Sequence, residues 1–331
     1  MPDSKNIPLV SSEISGLWNS YMSDSLAIRV LSYFLNNVED NETRELIQYT
    51  INLSIQHSAV ITDLFNKEGL PIPDGFTDND VNVNAPRLFT DSFHLAYLTI
   101  MARLGMCNYT SILNQTARKD VRDYFSKCIN DCVELYNKST DLRLSKGVFV
   151  RAPQIEVSKE VEYIKSDKFL LDFFGEKRPL LAREITRMFE LIFTNTMAVA
   201  LTTAFAQVSK DKKISNCLFK GKDLSSKILG ELTKTFLDEG IPASSTSESY
   251  VTDSTESPFS EKLMLIYVLI MTTSSISNMG MAISESSRGD LITKYIKYGE
   301  EIMNYAKQCS DILIDNKWLE QPPQVIKHED L

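Results

Sequence analysis

The sequence predicts an all-α protein built from two tandem four-helix bundles, each with a long crossover between its second and third helices. Three observations carry this expectation: apolar residues recur at helical spacing, strand-like alternation is scarce, and the second half of the chain repeats the first. The repeat is the strongest of the three. "LFNKEGLPIP" around Gly69 and "TFLDEGIPAS" around Gly240 both end a helix and continue as Gly-apolar-Pro. A spacing of 171 residues relates Gly69 to Gly240, Pro71 to Pro242, Glu13 to Glu184, Ile14 to Ile185, Phe34 to Phe205 and Phe65 to Phe236. Beyond the Gly-Pro turn the spacing becomes 170 and stays there, relating Val81 to Val251, Phe89 to Phe259, Tyr97 to Tyr267, Asn108 to Asn278, Arg118 to Arg288, Asp120 to Asp290 and Pro153 to Pro323. One single-residue deletion inside a loop therefore aligns the two halves, and chance does not hold a register through so many aromatic, Gly and Pro positions. The chain is a tandem duplication.

Each copy reads as four helices. In the first copy, Leu17, Tyr21, Ile28 and Leu31 mark the first helix, and Leu46, Ile47, Ile51, Ile61 and Leu64 the second. A third run covers about residues 88–113 and a fourth about 120–144. Gly69 and Gly240 occupy left-handed C-terminal caps, and the prolines that follow cannot continue a helix. Thr90 and Ser260 are expected N-caps, and Asp120 and Asp290 are expected to cap the fourth helices. The short "NNVEDNE" makes helices one and two antiparallel neighbours. "LPIPDGFTDNDVNVNAP", by contrast, is far longer than a helix hairpin needs. It can span ~50 Å, more than the ~40 Å length of a 27-residue helix. A crossover joining parallel helices two and three follows, the arrangement of ferritin-like bundles. The expected domains are residues 1–147, a linker at 148–179 carrying the short apolar helix "DKFLLDFFG", and residues 180–331. Phe169, Leu170, Phe173 and Phe174 of that linker are expected to be buried.

Composition narrows the function classes. The 331 residues are 43% hydrophobic and 24% charged, as in an ordinary globular protein, and the formal net charge of −9 argues against a nucleic-acid binder. "KDKK" at 210–213 reads as a solvated loop. The opening "MPDSKNIPLVSSE" has no cationic start and apolar run of a secretory signal. "EKLMLIYVLIMTTSSISNMGMAI" turns quickly to Ser, Thr and Asn, so it reads as a buried core helix rather than a membrane span. Five cysteines without a CxxC pair fit a reducing cytoplasm, with Cys128 and Cys132 as small core residues.

"EGLPIPDGFTDNDVNVNAPRLFTDSF", "KGVFVRAP", "GEKRPLLAREI", "PFSEKLM", "SSRGDL" and "KWLEQPP" resemble a family of tandem ferritin-like proteins, domain of unknown function 3231. The resemblance runs from about Ser11 to Val325. It implies two ferritin-like bundles and a setting in spore-forming Gram-positive bacteria, so a forespore or spore location alongside the cytoplasm. It carries no activity and no catalytic residues.

A ferritin-type di-metal centre needs Glu on two helices and Glu-x-x-His on the other two. The three histidines, His57, His94 and His328, do not supply that pattern. Ile228 and Met264 stand opposite His57 and His94 in the second copy, so no metal and no cofactor are expected. His57 and His94 should lie ~15 Å apart along the bundle, as two separate histidines. "RGD" at 288–290 aligns with "RKD" in the first copy and reads as a helix start. The methionines of the third helices, Met101, Met106, Met264, Met271 and Met279 among them, are core filler or the lining of an apolar pocket. One polar set persists in both copies: Glu13 and Glu184, Asp91 and Glu261, Arg118 and Arg288, Asp120 and Asp290. Glu13 with Arg118, and Glu184 with Arg288, are expected at the same bundle end, paired directly or through Asp120 and Asp290. The functional expectation is a non-catalytic structural or interaction protein, sporulation- or stress-associated, acting through an unidentified protein partner or self-association. The alternative is a binder of a small apolar ligand, or a minor enzyme, in the Met-rich interior.

Overall fold

The structure is a computed structural model that describes residues 7–166, 169, 177–243 and 249–325. Among these it contains eight α-helices and no strand, with one isolated antiparallel bridge between Val81 and Phe259. The helices are α1 (Ser11–Asn37), α2 (Asn41–Glu68), α3 (Asp91–Leu113), α4 (Lys119–Ser145), α5 (Ala182–Val208), α6 (Lys212–Asp238), α7 (Glu261–Glu285) and α8 (Gly289–Asp315). The chain divides into two compact units. Unit 1 is Met1–Val148 with Glu256–Leu263 and Lys317–Leu331, and unit 2 is Phe149–Thr255 with Met264–Asn316. Leu170, Phe173, Phe174 and His328 lie outside the described residues. Phe169 is half-buried, with the Arg178 guanidinium 4.7 Å above its ring.

Helix ends follow from local chemistry. Asp40 caps α2 by accepting from the Thr43 amide, and Asp211 caps α6 by accepting from Lys213 and Ile214. Gly69 and Gly240 adopt φ of 66° and 69°, the left-handed region that favours glycine. Ser260 accepts from the Leu263 amide and so opens α7.

Contacts at the helix ends set the directions. In unit 1, Asp91 at the start of α3 accepts from the amide of Asp40 at the start of α2. Glu13, at the start of α1, accepts from the amides of Ala117 and Arg118 just before α4. Helices α2 and α3 therefore run together, opposite to α1 and α4, and residues 69–90 travel from one end of the bundle to the other. That long segment must satisfy its own backbone polar groups. It does so partly through the Asn82 amide, which donates to Pro258, and the Asp80 carbonyl, which accepts from Ser260. Unit 2 repeats the directions. Glu184 of α5 meets the start of α8, while Arg187 of α5 pairs with Glu285 at the end of α7.

The core of unit 1 closes at one end over Leu17, Trp18, Ile61, Leu64, Phe65, Val121 and Phe125. At the other end Phe34 packs against Phe89, Phe93 and Tyr97. Unit 2 buries Ile185, Met188, Leu191, Ile228, Leu232, Phe236, Leu291 and Tyr295. Phe205 and Tyr267 meet edge-on at 6.0 Å, repeating the 5.1 Å contact of Phe34 and Tyr97. Among the described residues, two helices, α5 and α7, are long and apolar enough to cross a membrane by length and composition alone. The most apolar window of α5 is 61% buried and that of α7 39%.

Candidate functional site

Three members of the repeated polar set, Glu13, Arg118 and Asp120 in unit 1 and Glu184, Arg288 and Asp290 in unit 2, assemble at one end of each unit with corresponding bonds, while Asp91 lies at the opposite end of its bundle. In unit 1, Arg118 is the N-cap residue of α4 and is 7% exposed. Its guanidinium grips Asp120 through two bonds of 2.9 Å and reaches Glu68 at 2.6 Å and the Ile7 carbonyl at 3.3 Å. In unit 2, Arg288 grips Asp290 at 3.0 and 2.8 Å, Glu239 at 2.5 Å and the Arg178 carbonyl at 3.1 Å. Glu13 and Glu184 bind the chain entering the fourth helix. Glu184 accepts from Ser287 and Arg288 amides at 2.9 and 3.2 Å, as Glu13 does from Ala117 and Arg118 at 3.1 and 2.9 Å. Each also accepts from an amide at the start of its own helix, that of Val10 or Leu181.

Two expectations are corrected here. Asp120 and Asp290 do not cap the fourth helices; they sit one residue inside, in the first turn, and hold the arginine that occupies the cap. Glu13 and Glu184 lie at the same end as Arg118 and Arg288 but meet their backbone amides rather than their guanidinium groups. The physical reason is competition. A guanidinium forms its best bidentate pair with the carboxylate two residues away, leaving the amides at the helix start for the acid arriving from α1 or α5. Glu68 and Glu239 were not singled out from the sequence, although each is the Glu before Gly in the repeated "EGLP" and "EGIP". That repeated acid was the available signal.

The charges are strongly held. Hydrogen bonds to Asp120 and Asp290 raise the arginines above their ordinary range. Burial alone would raise Asp290, but Arg288 and Lys177 outweigh it and hold the carboxyl at about 2. Glu184 is fully buried; the Arg178 guanidinium at 2.9 Å and the amides outweigh the desolvation and lower its pKa. The Arg-Gly-Asp at 288–290 is thus committed inside the protein. Asp91 accepts from Arg87 at 2.7 Å and from Asp40, and is held at about 2 despite partial burial. Glu261 begins α7 and is half-buried.

His57 and His94 are both buried in unit 1. His57 lies between two carboxylates, its Nε2 3.0 Å from Asp131 and its Nδ1 3.7 Å from Asp24. Burial would lower its pKa, but contacts with Asp24 and Cys128 prevail and push it up to about 11. His94 has no exposure and stacks on Phe34 at 4.3 Å, with Nδ1 3.5 Å from Asp91. Desolvation lowers its pKa, so it is held neutral. Phe34 and Asp24 are ten residues apart on α1, which separates the two histidines by ~15 Å along the bundle. Among the described residues, no three His, Cys, Asp or Glu side chains converge on a point that could hold a metal ion.

Opposite shifts give opposite pH dependences. A lowered histidine pKa leaves stability intact above ~6.5 and removes it as pH falls, because the unfolded chain binds the proton first. A raised one contributes fully below ~6.5 and loses its contribution as pH rises toward its folded value. We expect His94→Met, the residue its repeat equivalent Met264 already uses, to reduce the loss of thermal midpoint between pH 7 and 5. An identical pH slope in the variant and the parent protein overturns the assignment of a neutral His94.

The methionines do not share one lining. Met264 and Met279 are buried in the core, whereas Met101 and Met271 are half-buried. Met106 lines a shallow open concavity on α3 with Cys107, Thr110, Ser111 and Asn114.

An all-α protein whose duplicated bundles carry the same ionic closure at corresponding helix ends is the class defined by this geometry. The chain belongs to the family described as Protein of unknown function (DUF3231), which it matches over residues 2–161 and again over 168–331. Among solved structures it is similar to a chain described as a "putative spore coat protein" from Bacillus halodurans C-125. The identity is 22% and the TM-score 0.43, over 47% of this chain and 100% of that one. No curated protein matches the chain.

Proposed function

We propose that the protein is a non-catalytic structural or interaction protein, working in the cytoplasm, forespore or spore through a protein partner or self-association. The observation that supports this reading is how the repeated charges are used. Arg118 and Arg288 direct their donors at Asp120, Glu68 and the Ile7 carbonyl, and at Asp290, Glu239 and the Arg178 carbonyl. Glu13 and Glu184 are saturated by backbone amides and, in unit 2, by Arg178. Groups so engaged fix how helices dock rather than meeting a substrate. The buried positions of Met264 and Met279 favour filler over the lining of a ligand site.

Native mass spectrometry with elemental analysis of protein purified from its own host tests this. The expected spectrum shows the polypeptide, its multiples, or the polypeptide with a second protein. A small organic molecule or a transition-metal ion retained at about one per chain after dialysis against chelator overturns the reading.

A further inference from the structure

Cys217 on α6 and Cys309 on α8 are free thiols whose sulfurs lie 3.6 Å apart. They are 5% and 0% exposed, so the pair lies at the edge of the core with Cys217 on the outer side. A disulfide requires ~2.05 Å, so closure needs an approach of only ~1.5 Å in total, within reach of small side-chain rotations. The surroundings are specific to unit 2. Gly221, one turn from Cys217, makes room for the Tyr305 ring; a Cβ there would run into the phenol oxygen. The Tyr305 hydroxyl is buried and lies beside Cys309. In unit 1 the equivalent four positions are Leu46, Ser139, Thr50 and Leu135, none of which carries sulfur. The duplication therefore supplies a reference in which the corresponding helix pair, α2 and α4, has no thiols at these positions.

We propose that Cys217 and Cys309 form an oxidisable dithiol, a modification site that closes to a disulfide between α6 and α8 when a hydroperoxide reaches Cys217. Cys309 and nearby Lys220 favour the thiolate at Cys217, while burial and its neighbour keep Cys309 protonated. One sulfur is thus the nucleophile and the other holds the proton. The Cys217 thiolate attacks one oxygen of hydrogen peroxide, and the O–O bond breaks. Hydroxide leaves and takes up the proton that Cys217 had released, giving a sulfenic acid and one water. The Cys309 thiol then attacks the Cys217 sulfur. The S–O bond breaks, the S–S bond forms, and the Cys309 proton leaves with the hydroxide as a second water. Two thiols lose two electrons and one peroxide gains them.

The experiment uses the full chain. Reduced protein is treated with hydrogen peroxide, denatured, alkylated with iodoacetamide and digested. The expected map links the peptides carrying Cys217 and Cys309, at a mass about 2 Da below that of the two thiol peptides together, with Cys128 and Cys132 alkylated. Because the link closes a loop of 92 residues, the thermal midpoint of the oxidised protein should rise by about 5–10 °C. Cys217→Ser should abolish both the link and the shift. Recovery of Cys217 and Cys309 fully alkylated, or a link formed only among Cys107, Cys128 and Cys132, overturns the proposal.

Discussion

Replacing Glu184 with alanine is expected to destabilise the protein by about 3–5 kcal/mol, the range for breaking a buried ion pair by removing one partner. The carboxylate is fully buried and is the common acceptor for Leu181, Ser287 and Arg288 amides and for both terminal nitrogens of Arg178. Alanine would leave those amides without an acceptor and Arg178, itself 13% exposed, without its counter-charge. The first copy provides an internal comparison. Ile7 stands where Arg178 does, so Glu13→Ala strands amides but no cation. Its expected cost is smaller, about 2–3 kcal/mol, the penalty for buried donors left unsatisfied. Urea unfolding monitored by circular dichroism measures both. An unchanged midpoint for Glu184→Ala, or a larger effect at Glu13 than at Glu184, contradicts the assignment of Glu184 as the centre of this closure.

His57→Ile alone is expected to cost about 3–5 kcal/mol, and addition of Asp24→Asn to recover most of that loss. The reasoning again uses the repeat. His57 lies between Asp24 and Asp131, and Asp24 is 3% exposed with one carboxylate oxygen that has no partner. Burial already raises the Asp24 pKa against the lowering contacts of His57, and isoleucine removes that imidazole and leaves the acid buried without a partner. Unit 2 places Ile228 and Asn195 at these positions, buries both, and bonds the Asn195 amide to the Leu191 carbonyl at 2.8 Å. The same bundle geometry therefore tolerates the neutral pair. The double variant should also lose the part of the alkaline instability that comes from deprotonating His57 as pH rises toward about 11. Equal destabilisation by the single and double variants shows that the cost comes from packing around His57 rather than from the unpartnered Asp24 carboxyl.

What the sequence by itself determined was local or repetitive. The helices expected at about 88–113 and 120–144 are Asp91–Leu113 and Lys119–Ser145, because apolar spacing and Gly or Pro stops act within a few residues. The all-α class followed from the same signals, and the duplication needed only a register. The tertiary structure decided who meets whom. Glu13 was legible as an important acid, yet its partners, the amides of Ala117 and Arg118, lie about a hundred residues away and are chosen by how α1 docks against α4. Arg118 was legible too, but Glu68 entered its cluster only once α2 ended at the same face. His57 read as a lone histidine because Asp24 and Asp131 reach it from other helices. Cys217 and Cys309 show no sequence spacing that marks a pair, and only the packing of α6 against α8 brings their sulfurs to 3.6 Å. Periodicity sets which face of a helix is apolar. The rotation and offset of each helix against its neighbours come from the packing of the whole core, and those two quantities select every polar partner in this protein.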